Sequence, residues 1–211
     1  MSDTNNLIKQ LVETSSEEHK AASPLGILLR WLFSSLVYMA VMTACSGLRP
    51  DLAAKLHEPL YMAEISALAA IIITSGLSAA LLAYPDMHQK KPLVFAPIFA
   101  VLLFIYVLYL EYTAQNPNIP IPDHGADCLA CITAFSLFSA IWMFAVLRKQ
   151  ATTHRYFAGA IILLGSSAVG AFTLRLCEEV DSIPHLLQWH YLPMIGFAAL
   201  GIFLGKKLLV W

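Results

Sequence analysis

Four cysteines and seven histidines are the residues of this sequence best equipped for chemistry. Thiolates and imidazoles are the ligands of soft and borderline metal ions, and two thiols by themselves can form a disulfide switch. The densest gathering is the 14-residue run from Cys177 to His190, which holds one thiol, the carboxylates of Glu178, Glu179 and Asp181, the imidazoles of His185 and His190, and the indole of Trp189. If Pro184 starts a helix, His185 and Trp189 stand at i, i+4 on one face and His190 points about 100° further round. A second gathering is Cys128-x-x-Cys131 with His124 just before it; the spacing allows a reactive dithiol at a helix entry. Two plainer accounts compete. Cysteine is also a small apolar filler of helices, which suits Cys131, and Trp189, His190 and Tyr191 suit an aromatic belt at a membrane interface.

The elements that must position these groups follow from composition. Of 211 residues, 58% are hydrophobic and 13% charged, and the mean hydropathy is +0.67. Soluble domains carry about 25% charged residues, so the chain reads as an all-α membrane protein. Six stretches are long enough to cross the hydrocarbon core at 1.5 Å rise per residue: Leu25 to Ser46, Tyr61 to Ala83, Leu93 to Tyr112, Asp127 to Leu147, Tyr156 to Leu176 and Trp189 to Val210. Breakers at Arg49-Pro50-Asp51, Tyr84-Pro85-Asp86 and Asn116 to Pro122 separate them. No stretch alternates as barrel strands do, so a six-helix bundle is expected. Residues 1–24 form a polar tail without the pattern of a signal peptide, expected to persist in the mature protein, and 25–211 the membrane domain.

Orientation follows from the positive-inside rule. With the N-terminus in the cytoplasm, ten of the 13 basic residues lie inside and only Arg49, Lys55 and Arg175 outside. Both termini are then cytoplasmic, and Cys45, Cys128, Cys131, Cys177, His57, His124, His185 and His190 all face the outside, which in a bacterium is the oxidising periplasm. The net charge of −1 leaves no basic excess for phosphate neutralisation, so direct nucleic-acid binding is not expected. No ionisable residue sits at mid-bilayer, which disfavours a pump or ion-coupled carrier. Glu64, Glu111, Asp127 and Arg175 fall within a turn or two of the outer face, where side chains can snorkel to water and where Arg175 can pair with Glu64 or Glu111. Gly159, Gly165, Gly170, Gly196, Gly201 and Gly205 read as helix-packing positions.

Several local motifs together resemble a known family. Gly47-Leu48-Arg49-Pro50-Asp51-Leu52 after the first span, Cys128-Leu129 opening the fourth, Leu174-Arg175-Leu176-Cys177, and His185-Leu186-Leu187-Gln188-Trp189-His190 make the chain similar to the negative regulators of sigma F, six-span anti-sigma factors of the bacterial inner membrane. The resemblance covers nearly the whole chain. It implies a non-enzymatic regulator that sequesters an extracytoplasmic-function sigma factor and releases it on periplasmic stress, and it matches Cys128 and Cys177 to the family's paired cysteines. These two are the expected sensors, through a disulfide or a transient soft metal ion, with His185 and His190 as candidate further ligands; no resident cofactor is expected. The Glu178-Glu179 start of the fifth loop departs from the family pattern, and Cys45 and Cys131 are additional to it.

A sigma-factor clamp needs a cytoplasmic surface. In the tail, Leu7, Ile8, Leu11 and Val12 fall at i, i+1, i+4 and i+5 and make one apolar face over about two turns, with Thr4 or Asn5 as cap. So short a helix is marginal alone but suits a partner's groove or the lipid surface. The alternative from a different class is a quinone-linked membrane thiol oxidoreductase, with Cys128 and Cys131 as the first dithiol. Such an enzyme also needs Cys45 and Cys177 to meet as a second pair.

Overall fold

The computed structural model describes residues 23–85, 91–114 and 124–210, together with Asn6. The apolar face of Leu7, Ile8, Leu11 and Val12 and the loop from Asn116 to Asp123 lie outside the described residues. The described chain is all-helical: α1 Pro24–Ser46, α2 Leu52–Lys55, α3 Pro59–Leu82, α4 Lys91–Val94, α5 Ala96–Ala114, α6 Gly125–Leu147, α7 Arg155–Cys177, α8 Ile183–His185, the π-helix Leu186–Tyr191 and α9 Leu192–Leu208. Among the described residues, six helical runs are long and apolar enough to cross a membrane, the sixth being α8, the π-helix and α9 in continuity, Ile183–Leu208.

Start signals explain several boundaries. The hydroxyl of Ser23 accepts the Gly26 N–H at 3.1 Å and Pro24 follows in the first turn, the arrangement that satisfies an orphan donor without needing another. Gly47 ends α1 at φ +85° while its N–H reaches the Thr43 carbonyl, a conformation cheap only for glycine. The sequence reading began the sixth span at Trp189; the helix begins six residues earlier, because Pro184 occupies the first turn of a helix opened by Ser182 and Ile183.

The most enclosed helices, α3 and α7, form the centre of the bundle. The first and fourth spans run antiparallel, as cross-helix bonds from Trp31 Nε1 to the Ser139 carbonyl (3.0 Å) and from Tyr38 Oη to the Ala134 carbonyl (2.8 Å) fix for α1 and α6. Without a hydrophobic drive between helices in lipid, close approach depends on small residues. A Cβ on Gly159 would run into the backbone of Gly201 and Gly205, and Trp31 occupies the notch left by Gly76. Gly196 departs from this expectation: nothing lies near the position of its absent Cβ.

Charge separates along the bundle axis. Arg30, Arg148, Lys149, Arg155, Lys206 and Lys207 lie at the end where α1 and α7 begin and α6 and α9 finish, with no carboxylate among the described residues there. The acids gather at the opposite end, where Asp127 is exposed but Glu64, Glu111 and Arg175 are buried rather than snorkelling to water. Glu64 is 0% exposed and Arg175 3%; the guanidinium donates from Nε and Nη2 to the two oxygens of Glu64 at 2.8 Å each. Bidentate pairing compensates desolvation, which is why the pair stays inside rather than reaching for water. Removing one partner of such a pair costs about 3–5 kcal/mol.

Candidate functional site

At the acidic end the fold assembles one cluster from two chain segments far apart in sequence. Cys128 sits in the first turn of α6, 3% exposed. Its Sγ lies 3.4 Å from Nε2 of His185, donates to Oε1 of Glu178 at 3.2 Å and contacts the His124 carbonyl at 3.5 Å. Nε2 of His124 lies 2.8 Å from the same Glu178 oxygen. One ligand atom from each of His124, Cys128, Glu178 and His185 falls within 4.8 Å of the others. His190, 0% exposed, approaches from the far side, with Nε2 3.2 Å from Glu178 Oε2 and its ring centroid 5.5 Å from that of His185. Two imidazoles, a thiol and a carboxylate are the donor set of a tetrahedral zinc-like site.

Both histidines of the sixth span face this cluster because the helix between them is π-helical. At about 100° per residue an α-helix would place residues five apart about 140° from each other; hydrogen bonds from i to i+5, such as Leu192 N–H to the Leu187 carbonyl, stack them instead. The expected pairing of His185 with Trp189, with His190 turned away, is therefore corrected: Trp189 packs on α6, where a Cβ on Gly125 would strike its indole. The cause lies in Pro193, inside a continuous helical run. It has no N–H and its ring crowds the carbonyl four residues back, and a widened preceding turn relieves both defects.

The loop bearing Glu178 is itself clamped. Arg49 donates to both oxygens of Asp51 (2.6 and 2.9 Å) and to both oxygens of Asp181 (3.3 and 3.1 Å), while its N–H bonds to the Leu176 carbonyl at 3.0 Å. Lys55 reaches the same Asp181 at 3.0 Å. Tyr61 lies between the guanidinium groups of Arg49 and Arg175, 5.5 and 5.1 Å from its ring centre. Two motifs singled out in the sequence, Gly47 to Leu52 and Leu174 to Cys177, thus meet through Asp181 and hold Glu178 against Cys128.

The other singled-out groups are placed as follows. All four cysteines are free thiols. Cys177 is half-buried and stands outside the four-ligand cluster, with Thr43 and Cys131 as neighbours. Cys131 packs against the apolar patch of Cys128, Ile132, Phe135 and Leu174, in keeping with a filler, and Cys45 is exposed. Among the proposed ligands, Cys128, His185 and His190 come together and Cys177 does not join them. His124 and Glu178 complete the cluster, and the signals for them were in view: His124 lies four residues before Cys128 over a helix start, and Glu178 follows the last helical residue of α7.

Burial opposes the charge on Glu178, but donors from His190, His124 and Cys128 outweigh it and hold its carboxyl down to about 2. A depressed carboxylate contributes stability that is complete above its unfolded value of about 4.5 and disappears as the pH falls through about 2. Thermal melts of the detergent-solubilised protein are therefore expected to lose stability between those values, and Glu178→Gln to flatten that acid limb. An identical limb in the variant would contradict the assignment.

A family model described as negative regulator of sigma F matches residues 11–211. No curated protein and no solved structure matches the chain.

Proposed function

The chain belongs to the negative regulator of sigma F family and is a negative regulator of a sigma factor built on a multi-pass membrane domain; from this and the geometry of the cluster we propose how it works. The cytoplasmic tail sequesters a sigma factor of the extracytoplasmic-function class through Leu7, Ile8, Leu11 and Val12. The cluster at the opposite end senses a periplasmic signal and weakens that hold. The protein resides in the bacterial inner membrane with both termini in the cytoplasm. Membership in a regulator family favours this reading over a quinone-linked oxidoreductase.

The observation that carries the sensory half is the convergence of His124, Cys128, Glu178 and His185 within 4.8 Å. The signal it fits best is a soft or borderline divalent metal ion, which would take the Cys128 thiolate, two imidazole nitrogens and a Glu178 oxygen. Cys177 stays in the proposal as the second sensory thiol, one residue from Glu178, where its oxidation would disturb the clamped loop. A disulfide to Cys128 would first have to draw it away from Thr43 and Cys131. Binding can shift the bound and released populations only by the difference in metal affinity between the two states, and a swing from 1:99 to 99:1 needs about 10⁴-fold. A graded response is expected.

The topology half is tested by fusions. Alkaline phosphatase joined after residue 118 should be active and after residue 89 inactive, because positive segments stay in the cytoplasm. The reverse pattern would put the cluster and the tail on the wrong sides and end the proposal. For the sensory half, isothermal titration of the full chain with zinc(II), a redox-silent probe, should show one site that depends on Cys128. Absence of binding would remove the metal reading.

A further inference from the structure

The residue next to His190 leaves the cluster and enters the helix bundle. Tyr191 is 5% exposed; its hydroxyl donates to Oε1 of Glu64, and its ring stands edge-on to Phe104 of α5 at 4.8 Å. Glu64 is the carboxylate that takes both bonds from Arg175, and Arg175 Nη1 in turn donates to the Val180 carbonyl at 2.6 Å, in the loop that bears Glu178. One closed circuit therefore runs from Glu178 through Val180, Arg175, Glu64 and Tyr191 to His190 and back to Glu178. On its membrane side Tyr191 borders an apolar cavity of about 490 Å³, lined also by Ile71, Phe104, Leu108, Leu187 and Met194.

We infer that Tyr191 is the positioning residue through which occupancy of the outer cluster reaches the buried Glu64–Arg175 pair, with the π-helix Leu186–Tyr191 as the moving part. The inference rests on the reading of the cluster as the sensory site. Metal–ligand bonds of about 2.0–2.3 Å require ligand atoms now up to 4.8 Å apart to draw together. His185, which directly precedes the π-helix, and the Glu178 carboxylate that His190 faces must follow, and His190 lies within the π-helix. The segment that joins the two histidines runs on into Tyr191, so a pull on them is passed to the point where Tyr191 is attached. Turning Tyr191 takes a hydrogen bond from Glu64, a carboxylate with no access to water, and the ion pair linking α3 to α7 must readjust. Those two helices form the centre of the bundle, and α7 begins at the same basic end as α1, which the tail precedes in sequence. The cluster's state is thereby passed along helices rather than through the lipid.

Tyr191→Phe keeps the ring and its edge contact and deletes only the hydroxyl. In the full-length protein carrying its bound sigma factor, zinc(II) affinity is expected to stay within about threefold of wild type, while the zinc concentration needed for sigma release rises at least about tenfold. Release at the wild-type concentration would overturn the inference and leave the sensory reading intact. If the wild-type cluster bound no zinc, the sensory reading and the inference would fall together. A measurement on the wild-type chain covers the case of a variant that does not insert. Amide hydrogen exchange over Leu186–Leu192 is expected to change by at least about tenfold on zinc binding, and unchanged protection there would equally refute the transmission.

Discussion

Cys128→Ser protein is expected to bind zinc at least about 100-fold more weakly than wild type, since loss of even an outer partner of a metal site costs 10–100-fold. Serine keeps a hydroxyl that can donate to Glu178 but removes the thiolate, so insertion and resting repression should be unchanged. His185→Ala should weaken zinc binding comparably, because its Nε2 lies 3.4 Å from the same sulfur. Cys177→Ser, outside the cluster, should leave zinc affinity within about threefold, ligand bonds being local to the first shell. Titration calorimetry on the three variants checks the order. Equal weakening by Cys177→Ser would mean that the two thiols close on a metal together, an arrangement different from the one described.

The second large effect lies at the other end of the chain. Replacing Leu7 and Leu11 with aspartate places two charges on the apolar face proposed to enter a groove of the sigma factor. An uncompensated buried charge costs several kcal/mol, and every 1.4 kcal/mol is tenfold in affinity, so a loss of at least about 10³-fold is expected. Sigma-dependent transcription should become constitutive while the protein still inserts, as a reporter assay with a membrane-fraction immunoblot would show. Undiminished repression by a well-inserted double variant would move the contact to the basic end, to residues such as Arg148, Lys149 and Arg155.

Much of the architecture could be read from the chain because lipid imposes simple rules. Runs of apolar residues had to be helices, and breakers such as Pro50 and Pro85 marked the gaps between them. The Arg175–Glu64 partnership was open to sequence reasoning as one of two pairings; its depth was not, because burial depends on how α3 and α7 face each other. The site was half legible. Cys128, His185 and His190 stood out by type, yet an α-helical period turned His190 away, and only the widened turn before Pro193 restores it. Cys177 was matched to Cys128 by resemblance, whereas the geometry gives its place beside Cys128 to the neighbouring carboxylate of Glu178. No local pattern announces that substitution. It follows from the clamp of Arg49 and Lys55 on Asp181, a contact between segments about 130 positions apart.

The central claim is that one end of this membrane domain controls a partner held at the other. It is tested most directly in proteoliposomes that carry the full-length protein with its sigma factor bound, oriented by protease protection, to which zinc(II) is added on one side at a time. Zinc on the side of His124, Cys128, Glu178 and His185 should release the sigma factor from the opposite face, zinc on the tail side should not, and Cys128→Ser should abolish the effect. Release that ignores the side of addition, or that persists in Cys128→Ser, would contradict transmembrane control by this cluster.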